Sequence, residues 1–286
     1  MVAWIGYAVA AVAAGALTPV FIKTGAKRTA PTIGAAIFAA VVLLYYGGVL
    51  ALGNLSPLAA LSDGGTAALL ALAGVCWGFF CLCLFRALST GPVTRVSPIT
   101  NASVVLTSLL GVLLFEGALG FWKVIFLLVV VLGTVLLESE RGRPKDLLWV
   151  LFALLAAVFT TAADTLLTLL GTDVPDAAAM FCVVAAALIV VLAFAAIGRS
   201  FATVRKMTVE SFLFTLLAGM SAGLSVLCRY YSELSGDWDK LAPLTVLSLP
   251  LTLLFARLFL RERLSGANVL GMIFVLCGMF ALTMNF

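Results

Sequence analysis

One short stretch of the chain matches the pattern of a hydrolase nucleophile. Gly219-Met-Ser221-Ala-Gly223 reads G-x-S-x-G, the turn that presents a catalytic serine in α/β-hydrolases. Such a serine needs a neighbouring base, usually histidine, and a third group that orients the base. The chain contains no histidine. We therefore predict that Ser221 is not a catalytic nucleophile.

The cysteines and loop aspartates do not indicate a metal site either. Without a histidine or a C-x2-C pair, the cysteines lack the ligand spacing of a zinc site. Asp173 and Asp176 fall in a predicted loop and form no paired-aspartate metal motif within a membrane helix. We predict no metal, no cofactor and no enzymatic activity. The six cysteines lie in apolar runs, where we interpret them as small buried residues: Cys76, Cys81, Cys83, Cys182, Cys228 and Cys277.

The composition is that of a membrane protein. Of the 286 residues, 64% are hydrophobic and 10% are charged, whereas soluble domains are roughly half apolar. The first apolar run has no Lys or Arg before it, so we interpret it as a spanning helix and not as a signal peptide. We predict an all-α integral membrane protein with ten transmembrane helices, because ten apolar runs have about the 20 residues that span a bilayer. They cover residues 2–22, 31–52, 66–85, 96–115, 119–137, 147–170, 177–197, 211–230, 241–260 and 267–285.

The basic residues are distributed unevenly between alternate loops. Fourteen Lys and Arg residues fall in one set, and only Lys123, Arg229 and Lys240 fall in the other. Cytoplasmic loops carry the excess of basic residues, so we predict a multi-pass protein of the cell membrane with both termini outside the cytoplasm. The formal charge of +4 is scattered among loops, and we expect no nucleic-acid partner.

The chain contains an internal repeat with a shift of 145 residues. The shift aligns Gly74 and Gly78 with Gly219 and Gly223, and also aligns several Pro, Ser, Thr and Trp positions. We predict two five-helix repeats, residues 1–137 and 147–286, joined by a charged cytoplasmic linker, residues 138–146. Because five is odd, the second repeat enters the bilayer from the opposite side. Inverted repeats are typical of secondary transporters.

The repeat changes the interpretation of Ser221. Its repeat partner is Cys76, so the glycine pair recurs and the serine does not. Glycines four residues apart allow close helix contact, and Ser221 lies about 200° round the helix from Gly219. Ser221 also aligns at helical spacing with three polar residues, which predicts a cavity-lining stripe. These residues are Ser225, Arg229 and Ser232.

Other polar stripes have the same helical spacing. Thr161 and Asp164 share a predicted face, and Phe80 occupies the repeat position of Ser225. The alternative to cavity lining is interhelical hydrogen bonding. Trp4 and its repeat partner Trp149 are expected at the membrane interface. Pro98 and Pro243 are each expected near the first turn of a helix. A stripe of hydroxyl residues follows each proline. The first stripe contains Thr100, Ser103 and Thr107, and the second contains Thr245, Ser248 and Thr252.

Asp164 and Arg229 are the ionisable residues that carry the functional hypothesis. An ionisable group within a membrane span is costly, which favours a function. For Asp164 three interpretations stay open: a proton-coupling site or cation ligand, an ion pair with Arg229, or an interfacial carboxylate. Arg229 could bind an anionic substrate or extend to the membrane surface. Glu262, which follows the run 241–260, is expected to form a helix junction.

Several motifs resemble the EamA-like family of the drug/metabolite transporter superfamily. They are "GVCWGFFCLCLFRALSTGPVTRVSPITNASVVLTSLLGVLLFE" and "VVVLGTVLL", repeated more loosely as "GMSAGLSVLCRYYSELSG", "LAPLTVLSLPLTLLF", "RERLSG" and "LCGMFAL". The resemblance implies ten helices in two inverted halves. It places helices one to four and six to nine round a central cavity and helices five and ten outside. It does not identify the substrate.

We therefore predict a secondary active transporter that moves a small polar or amphipathic organic metabolite by alternating access, coupled to protons through Asp164. The alternative is a flippase for a lipid-linked substrate with the same fold. The expected partners are a small-molecule substrate and membrane lipids, and the protein is expected to be a monomer or homodimer. The candidate substrate-binding residues are Asp164, Arg229, Ser221, Ser225, Phe80, Thr161, Thr100, Ser103, Thr245 and Ser248.

Overall fold

A computed structural model describes most of the chain. The described residues are 3–27, 29–57, 61, 63–103, 106–107, 110, 125, 129, 132–133, 148–170, 174–204, 207–235, 247–262 and 266–283. The predicted linker 138–146 and most of the predicted helix 119–137 lie outside these ranges.

The described part of the chain is all helical, in agreement with the predicted class. Six of its helices are long and apolar enough to cross a membrane, as expected of a multi-pass membrane protein. A single helical turn, Phe201–Val204, lies between two of them. The helices are α1 (Ala3–Gly25), α2 (Pro31–Gly53), α3 (Gly64–Thr90), α4 (Val93–Asn101), α5 (Leu148–Leu169), α6 (Asp176–Ile197), α7 (Val209–Ser235), α8 (Ser248–Leu260) and α9 (Gly266–Thr283).

Local sequence signals fix several helix ends. Helix α2 begins at Pro31, where the missing proline N–H costs nothing. It ends at Gly53, and the next residue, Asn54, adopts the left-handed conformation at φ 50°, which asparagine tolerates better than most residues. Helix α3 is capped by Asp63, whose side chain accepts a hydrogen bond from the Thr66 N–H.

Helix α4 begins earlier than predicted. It starts at Val93, so Pro98 lies inside the helix and not near its first turn. The prediction was wrong because the start is fixed by a residue distant in sequence. The two carboxylate oxygens of Glu262 accept hydrogen bonds from the backbone N–H groups of Val93 and Thr94, each at 2.9 Å.

The Glu262 contact is part of a junction at one end of the molecule. The Lys23 ammonium donates to the Gly91 carbonyl at 2.8 Å, in the turn between α3 and α4. Glu262 lies just beyond α8 and exerts an electrostatic attraction on Lys23. We call this set of contacts the Glu262 junction. It consists of the bond from Lys23 to Gly91 and the two bonds from the start of α4 to Glu262. The predicted junction role of Glu262 is confirmed.

Helix α1 packs antiparallel to α7. Tyr7 stacks on Tyr231 with ring centroids 5.6 Å apart, whereas Phe21, further along α1, contacts Phe214, earlier in α7, at 6.3 Å. Lys23 therefore lies at the end of α1 that is remote from Arg229. The Glu262 junction and Arg229 belong to opposite ends of the helical assembly.

The predicted glycine contacts are present, and they cross between the two sequence repeats. A Cβ on Gly219 would lie 2.7 Å from Cβ of Val41, and one on Gly223 would collide with the Tyr45 ring. Both contacts join α7 to α2. The packing role predicted for Gly219 and Gly223 is confirmed.

The first glycine pair makes the matching contact with α6. A Cβ on Gly74 would collide with Cβ of Ala186, and one on Gly78 would lie 3.0 Å from Cβ of Val190. Helix α3 is the repeat partner of α7, and α6 is the repeat partner of α2. The same type of contact therefore occurs twice, once for each glycine pair.

The order of contacts also gives the directions of α3 and α7. Gly34 of α2 faces Phe85 of α3, and Phe38, further along α2, stacks on Trp77, which is earlier in α3. Helices α2 and α3 are therefore antiparallel. Helices α2 and α7 are parallel, because Val41 faces Gly219 and Tyr45 faces Gly223. The repeat-related helices α3 and α7 consequently run in opposite directions.

Trp149 is buried in the core. Its side chain is 4% exposed and packs within the main apolar cluster. A Cβ on Gly91 would lie 2.8 Å from the indole ring. The expectation that Trp149 belongs to an interfacial belt was wrong, because the glycine leaves space in which the ring is covered by protein. The Trp4 side chain lies outside the described part of the structure.

Candidate functional site

A cavity of about 420 Å³ lies between α1, α3, α4, α5, α7 and α8. We call it the hydroxyl cavity, because serine and threonine side chains from all but one of these helices line it. Its volume is within the roughly 300–1,000 Å³ typical of small-molecule sites. The wall also contains Phe80, Asn101 and Arg229. The hydroxyl-bearing residues are Thr18, Ser97, Thr100, Ser103, Thr160, Ser225, Ser248 and Thr252.

Several of these hydroxyls are bound to backbone carbonyls. Thr100 donates within α4 to the Val96 and Ser97 carbonyls at 3.1 and 3.0 Å. Thr252 donates to the Ser248 carbonyl at 2.8 Å. Ser225 instead joins two helices by donating to the Ala11 carbonyl at 2.7 Å. These bonds fix the rotamers of the hydroxyls and leave lone pairs as acceptors.

Two hydroxyls of the wall differ from the others. The oxygens of Ser97 and Thr160 are buried and have no hydrogen-bond partner among the described residues. A buried polar group without a partner costs about 1–3 kcal/mol, and such groups are uncommon in folded proteins. Both residues line the hydroxyl cavity, but their oxygens expose almost no surface to it.

A second cavity, of about 370 Å³, is bounded by α2, α5, α6 and α7. We call it the acidic cavity, because Asp164 of α5 and Asp176 of α6 both line it. Tyr46 and Tyr230 contribute two phenol side chains. Arg229 lines the same cavity and acts electrostatically on Asp164.

Ser225 and Arg229 line both cavities. They are four residues apart on α7 and so lie on one face of the helix. The face that carries them borders both the hydroxyl cavity and the acidic cavity. The guanidinium of Arg229 is thus the one cationic group that belongs to both walls among the described residues.

The structure brings most of the predicted site residues to these cavities. Asp164 lies in the acidic cavity, apart from the hydroxyl stripes with which it was grouped. Thr245 lies outside the described residues. The predicted residues that line the hydroxyl cavity are Phe80, Thr100, Ser103, Ser225, Arg229 and Ser248.

Ser221 is not among the residues that line either cavity. Ser221 is 8% exposed and donates to the Ala14 carbonyl of α1, while Thr18 donates to the Ser221 hydroxyl at 3.5 Å. The predicted cavity position was wrong, because Ser221 forms the interhelical hydrogen bonds that were the alternative for such residues.

Thr161 is likewise a packing residue. Its side chain is 3% exposed and donates to the Ala157 carbonyl at 2.8 Å and to the Ser103 carbonyl at 3.3 Å. The preceding residue, Thr160, lines the hydroxyl cavity instead. Sequence analysis also missed Ser97 and Asn101, although their spacing of four residues could have indicated a common face.

No group of three or more Cys, Asp and Glu side chains able to hold a metal ion occurs in the described part of the chain. The described residues that line the two cavities offer hydroxyls, phenols, one amide, one guanidinium and two carboxylates. Such groups bind and orient a polar solute or exchange protons.

Comparisons with known proteins identify the family to which the chain belongs. Residues 2–139 and residues 147–284 each match the EamA-like transporter family. The chain belongs to the EamA-like transporter family, as its motifs indicated.

The chain is also 36% identical over 69 residues to a Sinorhizobium protein described as "Uncharacterized transporter in cobO 3'region". That alignment covers 24% of this chain and 49% of the relative, so the chain spans about half the length of this curated protein. A solved structure titled "Crystal structure of protein" has a TM-score of 0.63 over 96% of this chain and 94% of the other, with 16% identity. This likeness concerns the fold alone.

Proposed function

We propose that the protein is a secondary active transporter that moves a small polar or amphipathic organic metabolite across the cell membrane. The hydroxyl cavity is the observation that carries the proposal. It lies between α1, α3 and α4 of the first repeat and α5, α7 and α8 of the second. Substrate sites of secondary transporters lie at such an interface between repeats.

In the proposal the ten-helix chain is composed of two inverted repeats, residues 1–137 and 147–286. The opposite directions of α3 and α7 support this arrangement, as do the matching contacts of the two glycine pairs. A rocking motion of one repeat against the other exposes the cavity to alternate sides of the membrane. The uneven distribution of Lys and Arg between alternate loops supports an orientation with both termini outside the cytoplasm.

Asp164 is the proposed proton-coupling residue. It lies on a helix able to span a membrane, where a carboxylate is costly and is by default a functional candidate. It also lines the acidic cavity with Arg229, which lines the hydroxyl cavity as well. A change in the protonation of Asp164 would therefore alter the electrostatic interaction of Asp164 with Arg229, a residue that also lines the hydroxyl cavity.

The test is solute uptake into proteoliposomes driven by a pH gradient. Amines, carboxylates and uncharged solutes are first screened by their effect on the melting temperature of the purified protein, and the stabilising solutes are then used for uptake. The wild type is expected to accumulate such a solute. Asp164→Asn is expected to retain exchange of the solute but to lose accumulation, because the neutral amide cannot carry the proton.

Asp176→Asn is the matched control, because Asp176 also lines the acidic cavity but is not the proposed coupling residue. Accumulation by Asp164→Asn equal to that of the wild type would exclude the coupling role. If no stabilising solute entered the wild-type vesicles, transport itself would be excluded for this set of solutes. Uptake that is the same in vesicles of different lipid composition would argue against the flippase alternative.

A further inference from the structure

Pro19 removes one hydrogen bond from the backbone of α1. Pro19 lies inside this helix, and proline has no N–H to donate to the carbonyl four residues earlier. That carbonyl belongs to Gly15. Gly15 and Pro19 lie on one face of the helix, and both line the hydroxyl cavity. The wall of the cavity therefore contains a main-chain acceptor that lacks the usual helical donor.

The neighbouring hydroxyl does not supply the missing hydrogen bond. A Cβ on Gly15 would lie 3.1 Å from Oγ of Ser225, so Ser225 is a polar neighbour from α7. Its hydrogen is donated to the Ala11 carbonyl at 2.7 Å, which leaves Ser225 with acceptor lone pairs only. A membrane helix tolerates proline where side chains, waters or a cavity can satisfy the freed carbonyl. The Gly15 carbonyl is therefore available to a donor in the cavity.

Asn101 of α4 provides a second acceptor. Its amide nitrogen donates to the Ser97 carbonyl at 2.8 Å, and its amide oxygen makes no hydrogen bond with the described residues. Asn101 is half-buried and lines the cavity. The hydroxyls of Thr100 and Thr252 donate to carbonyls of their own helices, so their oxygens can only accept further bonds. Most polar groups of the wall therefore accept hydrogen bonds.

The charges of the wall favour an uncharged ligand. No carboxylate is among the described residues that line the cavity, so an organic cation would have no counter-charge there. The charged residue of the wall is Arg229, which already interacts with Asp164 and makes a further interaction within the protein. A carboxylate ligand would place its lone pairs against acceptor oxygens. The apolar part of the wall, which includes Phe80 and Leu84, fits an apolar body.

The internal repeat supports a binding role for this position. The shift of 145 residues aligns Pro19 with Asp164. Pro19 of α1 lines the hydroxyl cavity, and Asp164 of α5 lines the acidic cavity. The same position of the two repeats therefore presents an acceptor to a cavity, as a freed carbonyl in the first repeat and as a carboxylate in the second.

We propose that the transported solute is an uncharged organic molecule that donates hydrogen bonds through N–H or O–H groups to the Gly15 carbonyl and the Asn101 amide oxygen. Its donor groups bind between α1 and α4, and its apolar part contacts Phe80. This inference rests on the proposed transport function and specifies its substrate class.

The experiment measures binding by the shift in melting temperature of the purified full-length protein over a series of probe concentrations. Two pairs of probes differ in the hydrogen-bond donor. They are nicotinamide with N,N-dimethylnicotinamide, and 3-pyridylmethanol with its methyl ether. Nicotinate and 3-picolylamine are the charged probes. The wild type is expected to prefer the donor-bearing member of each pair and to bind both charged probes more weakly than nicotinamide.

Pro19→Ala separates binding from stability. Alanine restores the N–H of residue 19, so the Gly15 carbonyl regains its helical donor and the melting temperature without probe is expected to rise. The affinity ratio within each pair is expected to fall roughly two- to tenfold, which corresponds to the loss of one hydrogen bond. The ratio is the measure because a general loss of folding would weaken both members of a pair alike.

Asn101→Leu tests the second acceptor. Leucine has a similar size but cannot accept a hydrogen bond, so this variant is also expected to lower the ratio. Pro31→Ala is the matched control, because Pro31 begins α2, where the N–H has no helical partner. Helix α2 contributes no described residue to the wall of the hydroxyl cavity. This control is expected to keep the wild-type ratios.

Three results would overturn the inference. They are tighter binding of nicotinate or 3-picolylamine than of nicotinamide, equal affinities within both pairs, or a ratio that either Pro19→Ala or Asn101→Leu leaves unchanged. Uptake of a charged probe into proteoliposomes above that of protein-free vesicles, without uptake of nicotinamide, would overturn the uncharged class and keep the transport function. Donor-selective binding of nicotinamide without any such uptake would instead remove the transport function.

Discussion

Asp63 shows how a single side chain caps a helix that is long and apolar enough to cross a membrane. Its carboxylate accepts hydrogen bonds from the backbone N–H of Thr66 at 3.0 Å and from the Thr66 hydroxyl at 3.2 Å. These bonds, the backbone one foremost, hold the pKa of Asp63 below its usual range. The charged form of Asp63 is therefore favoured by the folded protein, and α3 begins at a defined residue.

The Asp63 cap predicts a pH-dependent contribution to stability. Because the folded-state pKa is depressed, the cap contributes fully above the ordinary aspartate pKa of about 3.9. The contribution is lost as the pH falls through the lower folded-state pKa. Asp63→Ala is expected to melt at a lower temperature than the wild type near neutral pH, and the difference is expected to shrink in acid.

Asp63→Asn separates capping from charge. Asparagine is a good N-cap residue that does not titrate, so this variant is expected to retain stability with less dependence on acid. Melting curves of the detergent-solubilised protein from neutral to acidic pH measure both effects. A difference between the wild type and Asp63→Ala that is constant over this range would contradict the assignment.

The polar residues show which side-chain positions could be predicted from sequence. The stripes correctly brought Thr100, Ser103 and Ser248 to one cavity, because helical spacing fixes which residues share a face. The spacing does not fix where that face points. Thr160 and Thr161 differ by about 100° round the helix, and only the neighbouring helices decide which of them lines the cavity.

At the scale of the helical elements, the glycine pairs were predictable because their contact depends on a missing side chain. The glycine pair can be read directly from the sequence, and the internal repeat contains it in both copies. The partner helix was not predictable, because α2 and α6 present ordinary apolar residues at the contact. Val41 and Tyr45 have no feature in the sequence that distinguishes them from their neighbours.

Gly223→Ala is expected to destabilise the contact between α7 and α2. The added Cβ would collide with the Tyr45 ring, and overpacking of this kind costs typically about 1–3 kcal/mol. Thermal unfolding in detergent measures the loss. Gly48→Ala on α2 is the control, because a Cβ there meets no atom within 4 Å and alanine favours a helix by roughly 0.5–1 kcal/mol over glycine. Equal stability of the two variants would contradict the predicted contact.

The start of α4 could not be predicted from the residues around it. Proline is common in the first turn of a helix, so Pro98 was a reasonable local signal. The backbone N–H groups of Val93 and Thr94 have instead a carboxylate partner at position 262. A contact between residues so far apart in the chain does not affect the helix propensities of the residues around Val93.

At the scale of the whole molecule, the Glu262 junction joins the two repeats at the end remote from Arg229. Removal of the carboxylate leaves the Val93 and Thr94 N–H groups without this partner. Loss of an N-cap costs about 0.5–2 kcal/mol, so Glu262→Ala is expected to lower the melting temperature. Helix α4 carries Ser97 and Thr100, so the variant is also expected to weaken binding of solutes to the hydroxyl cavity.

Glu262→Gln distinguishes the shape of the side chain from its charge. The amide keeps an acceptor oxygen but loses the attraction for Lys23 and for the helix N-terminus, so an intermediate melting temperature is expected. Arg257→Gln is a control for the loss of a charge near the same end of α8 without loss of this cap. A melting temperature of Glu262→Ala equal to that of the wild type would contradict the junction's contribution.

The packing between repeats also bears on how the protein is synthesised. Among the described helices, the most extensive contacts join α1 to α7, α3 to α5 and α6, and α2 to α7, so the earlier partner in each pair leaves the ribosome well before the later one. The glycine faces of the first repeat are then exposed to lipid until the second repeat has been inserted. A chain that ended after α3 would lack the α6 residues on which Gly74 and Gly78 pack.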